Sequence, residues 1–383
     1  MTTSPARVAL VRCNSYDQNS VDEAVARGLS LLGSPQAFFQ PGESLLLKPN
    51  LLAADPPEKN TATHPAVFSA VARQFQTAGA QLSYGDSPAA HRPLTAARKA
   101  GIAAAAEALH IPLANLTRGK IVSFPQGKLI KQFTVAEGVL AADGIINISK
   151  MKTHALTRIT GAVKNLFGCI PGTLKAEFHA KLQNEDLFSQ MLVDLYRLLP
   201  PHLNVMDGII AMQGNGPRNG SPRAANVLLF STDAIALDTI AARIMNLDPA
   251  LVPTLAWARN WGIGETEHIE IIGDALESFV IPDFEANRRR GSTTNGKSGR
   301  MYQLVKDWII PRPVIDSVKC TRCGTCVNIC PVTPKAVDWH DGDQRKAPVY
   351  KYDRCIRCYC CQETCPAEAI QVQIPPLGRL IHK

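Results

Sequence analysis

Eight cysteines near the C-terminus repeat one metal-binding spacing twice. Each copy reads Cys-x2-Cys-x2-Cys-x3-Cys-Pro, the first beginning at Cys320 and the second at Cys355. Two-residue gaps let a tightly wound loop aim three thiolates at three irons of a cubane, and the distant fourth cysteine of each run binds the partner cluster. The spacing therefore predicts two [4Fe-4S] clusters, which exchange single electrons.

This cross-ligation assigns the cysteines to two sets of four. The first set is Cys320, Cys323, Cys326 and Cys365, and the second is Cys330, Cys355, Cys358 and Cys361. Cys360 lies between Cys358 and Cys361 and could compete as a ligand, but the spacing to Cys365-Pro366 favours Cys361. A pair of zinc sites is the alternative, although tetrathiolate zinc sites usually combine two Cys-x2-4-Cys units.

Residues 314–374 resemble the bacterial two-cluster ferredoxin family. The resemblance covers both cysteine runs and extends through Pro366-Ala367-Glu368-Ala369-Ile370, a common continuation in such domains. The first copy departs from the pattern because the segment between Cys330 and Ala336-Val337 is longer, which lengthens a loop and leaves ligation intact. The resemblance implies a small α+β two-cluster ferredoxin-like domain that transfers electrons.

The larger, N-terminal part of the chain must position whatever receives those electrons. From Arg7 to Asp283, β-rich apolar runs alternate with amphipathic helical stretches, the pattern of a parallel sheet covered by helices. We predict an α/β fold with an open, mostly parallel sheet and helices on both faces. The predicted strands are Val8–Arg12, Ser44–Lys48, Gln81–Gly85, Gly144–Ser149, Leu203–Asp207, Asn226–Ser231 and Ile269–Gly273. The predicted helices are Val21–Leu32, Pro65–Ala78, Thr95–Leu109, Asp186–Leu199 and Asp233–Met245.

Length and charge indicate three segments. The chain has 383 residues and a net charge of +8, and residues 285–312 hold seven Lys/Arg against two Asp/Glu. We predict an α/β domain at 1–284, a basic linker with a short helix at 285–312, and the ferredoxin-like domain at 313–383. Because the charge is concentrated in the linker, nucleic acid is not an expected partner. No apolar run approaches the ~20 residues of a membrane helix, so we expect a cytoplasmic protein without a membrane span.

Polar residues follow the predicted strands at the sheet edge where ligands of open α/β folds bind. The candidates for substrate binding are Lys48, Asn50, Lys150, Lys152, Lys164 and Asn165. Four lysines near several strand ends would attract a carboxylate, phosphate or sulfonate, although solvated or salt-bridged lysines are the ordinary case. Neither a dinucleotide-binding glycine motif nor a P-loop is present.

Three nearby residues are candidates for proton transfer. His154 could donate or accept a proton near neutral pH, and Asp86 and Asp207 could act as general acids or bases. The structural alternatives are a hydrogen-bonded histidine and two aspartates that cap helices or turns.

Residues 7–275 resemble the domain of unknown function 362 family, whose members often carry such a ferredoxin at the C-terminus. The matching segments are Lys48-Pro49-Asn50, Thr63-His64-Pro65, Gly85-Asp86-Ser87-Pro88, Lys150-Met151-Lys152-Thr153-His154, Thr160 to Gly168, Asp207-Gly208-Ile209, Gly214-Asn215-Gly216-Pro217 and Ala236-Leu237-Asp238. The resemblance implies the architecture but no settled reaction.

The fusion of a ferredoxin-like segment to this domain motivates the main functional hypothesis. The clusters would pass single electrons to an anionic small molecule or cofactor held by the α/β domain, since a covalent link keeps donor beside acceptor. A protein electron donor or acceptor is then required. The alternative is a carrier or adaptor subunit that docks on a partner redox enzyme without chemistry of its own. A third interpretation makes the clusters structural. The sequence assigns neither the substrate nor the oligomeric state.

Overall fold

A computed structural model describes residues 5–89, 91–182, 184–288 and 310–377. The strands are β1 (Ala6–Arg12), β2 (Ser44–Pro49), β3 (Gln81–Tyr84), β4 (Gly119–Ser123), β5 (Gln132–Ala136), β6 (Gly144–His154), β7 (Arg158–Ile159), β8 (Leu203–Gln213), β9 (Ser221–Ser231), β10 (Ile269–Gly273), β11 (Arg312–Ile315), β12 (Val337–Asp338), β13 (Val349–Tyr350) and β14 (Ile370–Gln373). The α-helices are α1 (Gln18–Leu32), α2 (Pro65–Thr77), α3 (Pro93–Lys99), α4 (Ile102–Ala108), α5 (Glu137–Leu140), α6 (Gly161–Asn165), α7 (Gly172–Lys181), α8 (Glu185–Leu198), α9 (Ala234–Ile244), α10 (Pro253–Trp261), α11 (Thr325–Ile329) and α12 (Cys360–Thr364).

One mixed sheet organises the N-terminal part. Its strand order is β10-β1-β9-β8-β6-β2-β3, with β7 added beside β6. The pairs β10-β1, β8-β6, β6-β2 and β2-β3 are parallel, whereas β9 runs antiparallel to both its neighbours. The predicted α/β fold with a mostly parallel sheet is therefore confirmed.

Helices cover both faces of this sheet because the central strands are apolar on both sides. In β1, Ala9 packs into the core that contains α1 and α2, while its neighbour Val8 packs into the core that contains α8 and α9. Phe68 of α2 and Phe188 of α8 are fully buried on these opposite faces. Each such aromatic side chain contributes roughly 1.5–3 kcal/mol of burial free energy.

Several element boundaries differ from the sequence predictions. The predicted helix Thr95–Leu109 is two helices, because Gly101 between them has a left-handed φ of 75°. Strands β6, β8 and β9 each run for 11 residues, well past the predicted ends. In β6 the extension carries Lys150, Lys152 and His154, whose polarity suggested a loop, although every residue of that strand is buried.

The C-terminal part forms a small unit of short strands and helices. Strand β11 pairs with β14 and β12 pairs with β13, both antiparallel. Most of the predicted linker and its short helix, residues 289–309, lies outside the described residues. Within the described ranges, no helix combines the length and apolar character needed to cross a membrane.

The small unit packs on the edge of the sheet where β2, β6 and β8 end. Lys59 forms an ion pair with Glu368, and Gln362 Nε2 donates to the carbonyl of Asn215 at 3.0 Å. Asn219 Nδ2 also donates to the carbonyl of Ile370 at 3.2 Å. The cysteine-rich unit therefore covers the strand ends that carry the candidate binding residues.

Candidate functional site

The structure gathers the eight motif cysteines into two separate recesses. The first recess is lined by Cys320, Cys323, Cys326 and Cys365, and the second recess is lined by Cys330, Cys355, Cys358 and Cys361. Each set takes one cysteine from the other repeat, which is the grouping predicted from the spacing. Among the residues that the structure describes, no three His, Cys, Asp or Glu side chains are arranged to hold a single metal ion.

The two cysteine runs adopt the same backbone turn. Arg322 and Arg357, at equivalent positions, share a left-handed φ of 58°, and Gly324 and Tyr359 share the left-handed region just before α11 and α12. Such turns bend the chain tightly enough to direct successive thiolates inward. The sequence repeat is therefore also a structural repeat.

The second recess supplies hydrogen-bond donors to its cysteine sulfurs. The Tyr350 hydroxyl donates to Cys361 Sγ at 3.2 Å, and the Ala336 amide donates to Cys330 Sγ at 3.4 Å. Donors aimed at sulfur stabilise thiolates and tune the potential of a bound cluster. Four converging cysteines with such donors fit a [4Fe-4S] cluster, which supplies single-electron chemistry when bound.

A half-open cavity of about 80 Å³ adjoins the second recess, between the strand ends and α12. We call it the lysine cavity. Its polar and reactive lining residues are Asn50, Asp86, Ser87, Lys152, Thr160, Lys164, Asn165, Lys175, His179, Cys360, Glu363 and Thr364. Glu363 and Cys360 come from the C-terminal unit, so both parts of the chain build this cavity.

Two of the four predicted lysines form buried ion pairs. Lys48 Nζ lies 2.9 Å from Asp86 Oδ1, and Lys150 Nζ lies 2.8 Å from Asp207 Oδ2. A Cβ at position 168 would collide with Asp86 Oδ1, so only Gly168 lets this pair form. Removing one partner of a buried pair typically costs about 3–5 kcal/mol. Asp86 and Asp207 thus neutralise lysines.

The second pair belongs to a cluster behind the cavity. Lys150 Nζ donates to the Tyr16 hydroxyl at 2.7 Å, and that hydroxyl donates to Asp207 Oδ1 at 2.9 Å. The Tyr16 ring stacks on His64, with 3.7 Å between the ring centroids. Burial lowers the pKa of His64 to about 4, and its Nδ1 accepts from the amide of Ala66. His64 therefore caps the N-terminus of α2.

Three lysines of the cavity have no carboxylate partner. Lys152 donates to Asn50 Oδ1 at 2.7 Å and to the carbonyl of Thr61 at 2.6 Å, and Lys175 donates to the carbonyl of Ser87. Across the described ranges, Lys164 Nζ has neither a hydrogen-bond nor an ion-pair partner. These ammonium groups are the ones available to a bound anion.

Burial makes these positive charges costly when the cavity holds no anion. Burial and the nearby Lys164 together lower the pKa of Lys152 to about 7, and burial lowers the pKa of Lys175 to about 8. Burial also lowers the pKa of Lys164, against the opposing field of Glu363. An anion between them would restore the lost solvation of all three lysines.

A chain of buried amides fixes the floor of the cavity. Asn50 Nδ2 donates to Asn165 Oδ1 at 2.9 Å, and Asn165 Nδ2 donates to Asn147 Oδ1 at 2.7 Å. Asn147 Nδ2 continues to Asn204 Oδ1 at 2.8 Å. Because both ends of the Asn50 and Asn165 amides are engaged, these residues hold Lys152 in place and the β2, β6 and β8 strand ends in register.

His154 contacts Glu363 of the C-terminal unit. Its Nε2 lies 2.9 Å from Glu363 Oε1, but the two groups lack the alignment of a hydrogen bond. His154 Nδ1 accepts from the amides of Leu156 and Thr157, so the imidazole is neutral. Burial lowers the pKa of His154 to about 4. Burial alone would raise the pKa of Glu363, but the adjacent His154 imidazole and the Lys164 ammonium lower it to about 2.

Helix α12 separates the cavity from the second recess. Cys361 lines the recess, while its neighbour Cys360 lines the cavity, as the motif spacing predicts for a cysteine that is not a ligand. Opposite α12, His179 stacks on Phe188 with 4.3 Å between the centroids, and its buried Nδ1 finds no partner in the described part of the chain. Burial lowers the pKa of His179 to about 4.

The structure divides the predicted site residues into two groups. Asn50, Asp86, Lys152, Lys164 and Asn165 line the cavity, whereas Lys48, Lys150, His154 and Asp207 lie behind its wall. Their roles in binding or catalysis stay predictions. Sequence reasoning missed Lys175 and Glu363. Glu363 could have been identified from the sequence, because it is a charged residue between two predicted cluster ligands, Cys361 and Cys365.

Two family models match separate segments of the chain. Residues 45–243 match the family model described as domain of unknown function (DUF362), and residues 310–369 match a 4Fe-4S dicluster domain. The chain is 36% identical over 260 residues to the thylakoid-associated protein sll1697 of a Synechocystis species, which covers 68% of this chain and 80% of that protein.

A solved structure of the lactate racemase apoprotein from Thermoanaerobacterium thermosaccharolyticum aligns with a TM-score of 0.37 and 11% identity. The alignment covers 63% of this chain and 57% of that one. The dicluster domain gives the C-terminal unit the chemistry of iron-sulfur electron transfer through [4Fe-4S] clusters. The chain belongs to the DUF362 family of domains of unknown function, with a 4Fe-4S dicluster domain at its C-terminal end.

Proposed function

We propose that this protein passes single electrons through two [4Fe-4S] clusters to a small anionic molecule or cofactor held in the lysine cavity. Each recess holds one cluster, ligated by its four cysteines. Electrons enter at the first recess, where Cys323 is exposed to solvent. They leave from the second recess, which adjoins the cavity.

One observation carries this proposal. The five-residue helix α12 contributes Cys361 to the second recess and contributes Cys360 and Glu363 to the cavity. A molecule in the cavity would therefore lie one helix wall from the thiolates of the electron donor. Proximity of this kind replaces a slow collision between two proteins with an intramolecular step.

The residues of the α/β domain would bind and shield the acceptor. Lys152, Lys164 and Lys175 attract the anion, and the buried setting strengthens their electrostatic attraction relative to bulk water. The amides of Asn50 and Asn165 keep Lys152 oriented. The three ammonium groups also stabilise negative charge that develops on the acceptor during reduction.

The proposal is tested with the full chain, prepared anaerobically and reduced with dithionite. After removal of excess reductant, candidate anionic metabolites are mixed in, and cluster reoxidation is followed by visible absorbance. Wild-type protein should be reoxidised by its substrate, and Lys164→Met should slow that step. Reoxidation that is unchanged when both Lys164 and Lys175 are replaced by Met would remove the cavity from the function.

The carrier or adaptor role is the second candidate. The exposure of Cys323 favours it, because an accessible ligand lets a partner protein approach the first recess closely. A carrier would copurify with a redox partner and exchange electrons with it at the same rate in wild type and in the lysine variants. An enzyme acting on a cavity-bound acceptor would lose turnover in those variants.

A further inference from the structure

We propose that the lysine cavity is built for a small dianion, with oxygen-bearing charges of the dicarboxylate, phosphate or sulfate type. This inference rests on the proposed function for the identity of the site and adds the charge and size of what it binds.

The charge of the cavity wall fixes the charge of the ligand. Lys152, Lys164 and Lys175 bring three positive charges without a carboxylate partner, and Glu363 brings one negative charge. Asp86 contributes no net charge because Lys48 neutralises it at 2.9 Å. With all three lysines protonated, the wall carries two uncompensated positive charges, on side chains that are buried or half-buried. Buried charges are stable only when paired, and a dianion pairs them both.

The neutral histidines do not alter this balance. His154 faces Glu363 from β6, and its Nδ1 accepts two backbone amides, so it adds no charge. His179 is buried between aromatic rings, and its Nδ1 has no partner within the described residues. His179 therefore lines the cavity without adding charge to its wall.

The volume of the cavity limits the size of the ligand. About 80 Å³ is the share of roughly three water molecules at about 30 Å³ each. A compact oxyanion such as sulfate or phosphate fits this space, and a four-carbon dicarboxylate would extend into the open side of the cavity. A nucleotide is several times too large.

A competing explanation makes the lysines counter-charges for the negatively charged cluster in the second recess. Cys358 and Cys361 line that recess but not the cavity, whereas Cys360 and Glu363 line the cavity together with the lysines. None of the three lysines lines the second recess. The two explanations make different predictions for anion binding and for the cluster potential, so one experiment separates them.

The experiment is isothermal titration calorimetry on the anaerobically prepared, cluster-loaded full chain at constant ionic strength. The probes are two pairs matched in shape, sulfate against methanesulfonate and succinate against butyrate. In each pair the dianion should bind at least about tenfold more tightly, which is the effect of one additional charge-assisted contact. Lys164→Met should abolish most of that preference, Lys164→Arg should retain it, and Lys99→Met, at an exposed position on α3, should leave it unchanged.

Three results would overturn the inference. The first is equal affinity within both probe pairs, which wild-type protein alone can reveal. The second is a dianion preference that survives in both Lys164→Met and Lys175→Met. The third is no binding of any probe while the lysine variants shift the midpoint potential of the second-recess cluster, as counter-charges would. Because binding is measured without electron transfer, dianion binding in a protein that reduces nothing would contradict the proposed function alone.

Discussion

Replacing a paired lysine and an unpaired lysine with the same residue should have opposite effects on stability. Lys150 and Asp207 are both 0% exposed, and 2.8 Å separates Nζ from Oδ2, so Lys150→Met leaves an uncompensated buried carboxylate. We expect a loss of about 3–5 kcal/mol in the free energy of unfolding. At about 2–4 °C per kcal/mol, the melting temperature should fall by at least about 6 °C.

Lys164→Met removes a charge that has no partner in the described part of the chain and whose burial is unfavourable. The aliphatic part of the side chain is retained by Met, so little packing is lost. We expect the free energy of unfolding to stay the same or to rise, while sulfate binding weakens by about 10- to 100-fold. A site that binds ligands at the expense of stability behaves in this way.

Differential scanning calorimetry of the cluster-loaded full chain, without added oxyanions, measures both effects. Iron content and far-UV circular dichroism establish that each variant is folded and loaded before comparison. If Lys164→Met destabilises the protein as much as Lys150→Met does, the distinction between paired and available lysines is wrong. Equal stability of both variants and wild type would contradict the buried pair.

Three further predictions concern pH and the cluster environment. Sulfate affinity should fall as pH rises from 7 to 9. Lys152 and Lys175, with pKa values of about 7 and 8, lose their protons over this range, while sulfate keeps its charge. A calorimetric affinity that does not change with pH would refute this. Tyr350→Phe removes the hydroxyl that donates to Cys361 Sγ at 3.2 Å, so it should lower the midpoint potential of one cluster. The expected shift in an EPR-monitored titration is up to about 59 mV, which is a tenfold change in the oxidised-to-reduced ratio. An unchanged midpoint potential would contradict this contact. Cys360→Ala should retain wild-type iron, whereas Cys361→Ala should lose about four irons per chain, and equal losses would reverse the ligand assignment.

The parts of this molecule that sequence predicts well depend on local rules. The cysteine spacing reflects the geometry of a cubane within a few residues of chain, and the apolar runs of β1 and β2 reflect burial on both faces of a sheet. The end of β2, which carries Lys48, follows from the same pattern.

The electrostatic state of the site depends on contacts that sequence spacing does not encode. Lys48 and Asp86 are 38 residues apart, and Lys150 and Asp207 are 57 apart, so nothing local distinguishes these paired lysines from Lys164. We expected β6 to end before Lys150 because the residues that follow are polar. The strand instead continues to His154, and all of its residues are buried. The contribution of Glu363 requires the packing of the C-terminal unit on the sheet edge.

Pulsed electron–nuclear double resonance on the dithionite-reduced protein with bound inorganic phosphate measures whether the bound anion lies beside the cluster. We expect a dipolar coupling between the unpaired electron of the second-recess cluster and the phosphorus nucleus, present in wild type and absent in Lys164→Met. Phosphate that binds at a lysine-dependent site without any such coupling would contradict the placement of the acceptor beside the cluster.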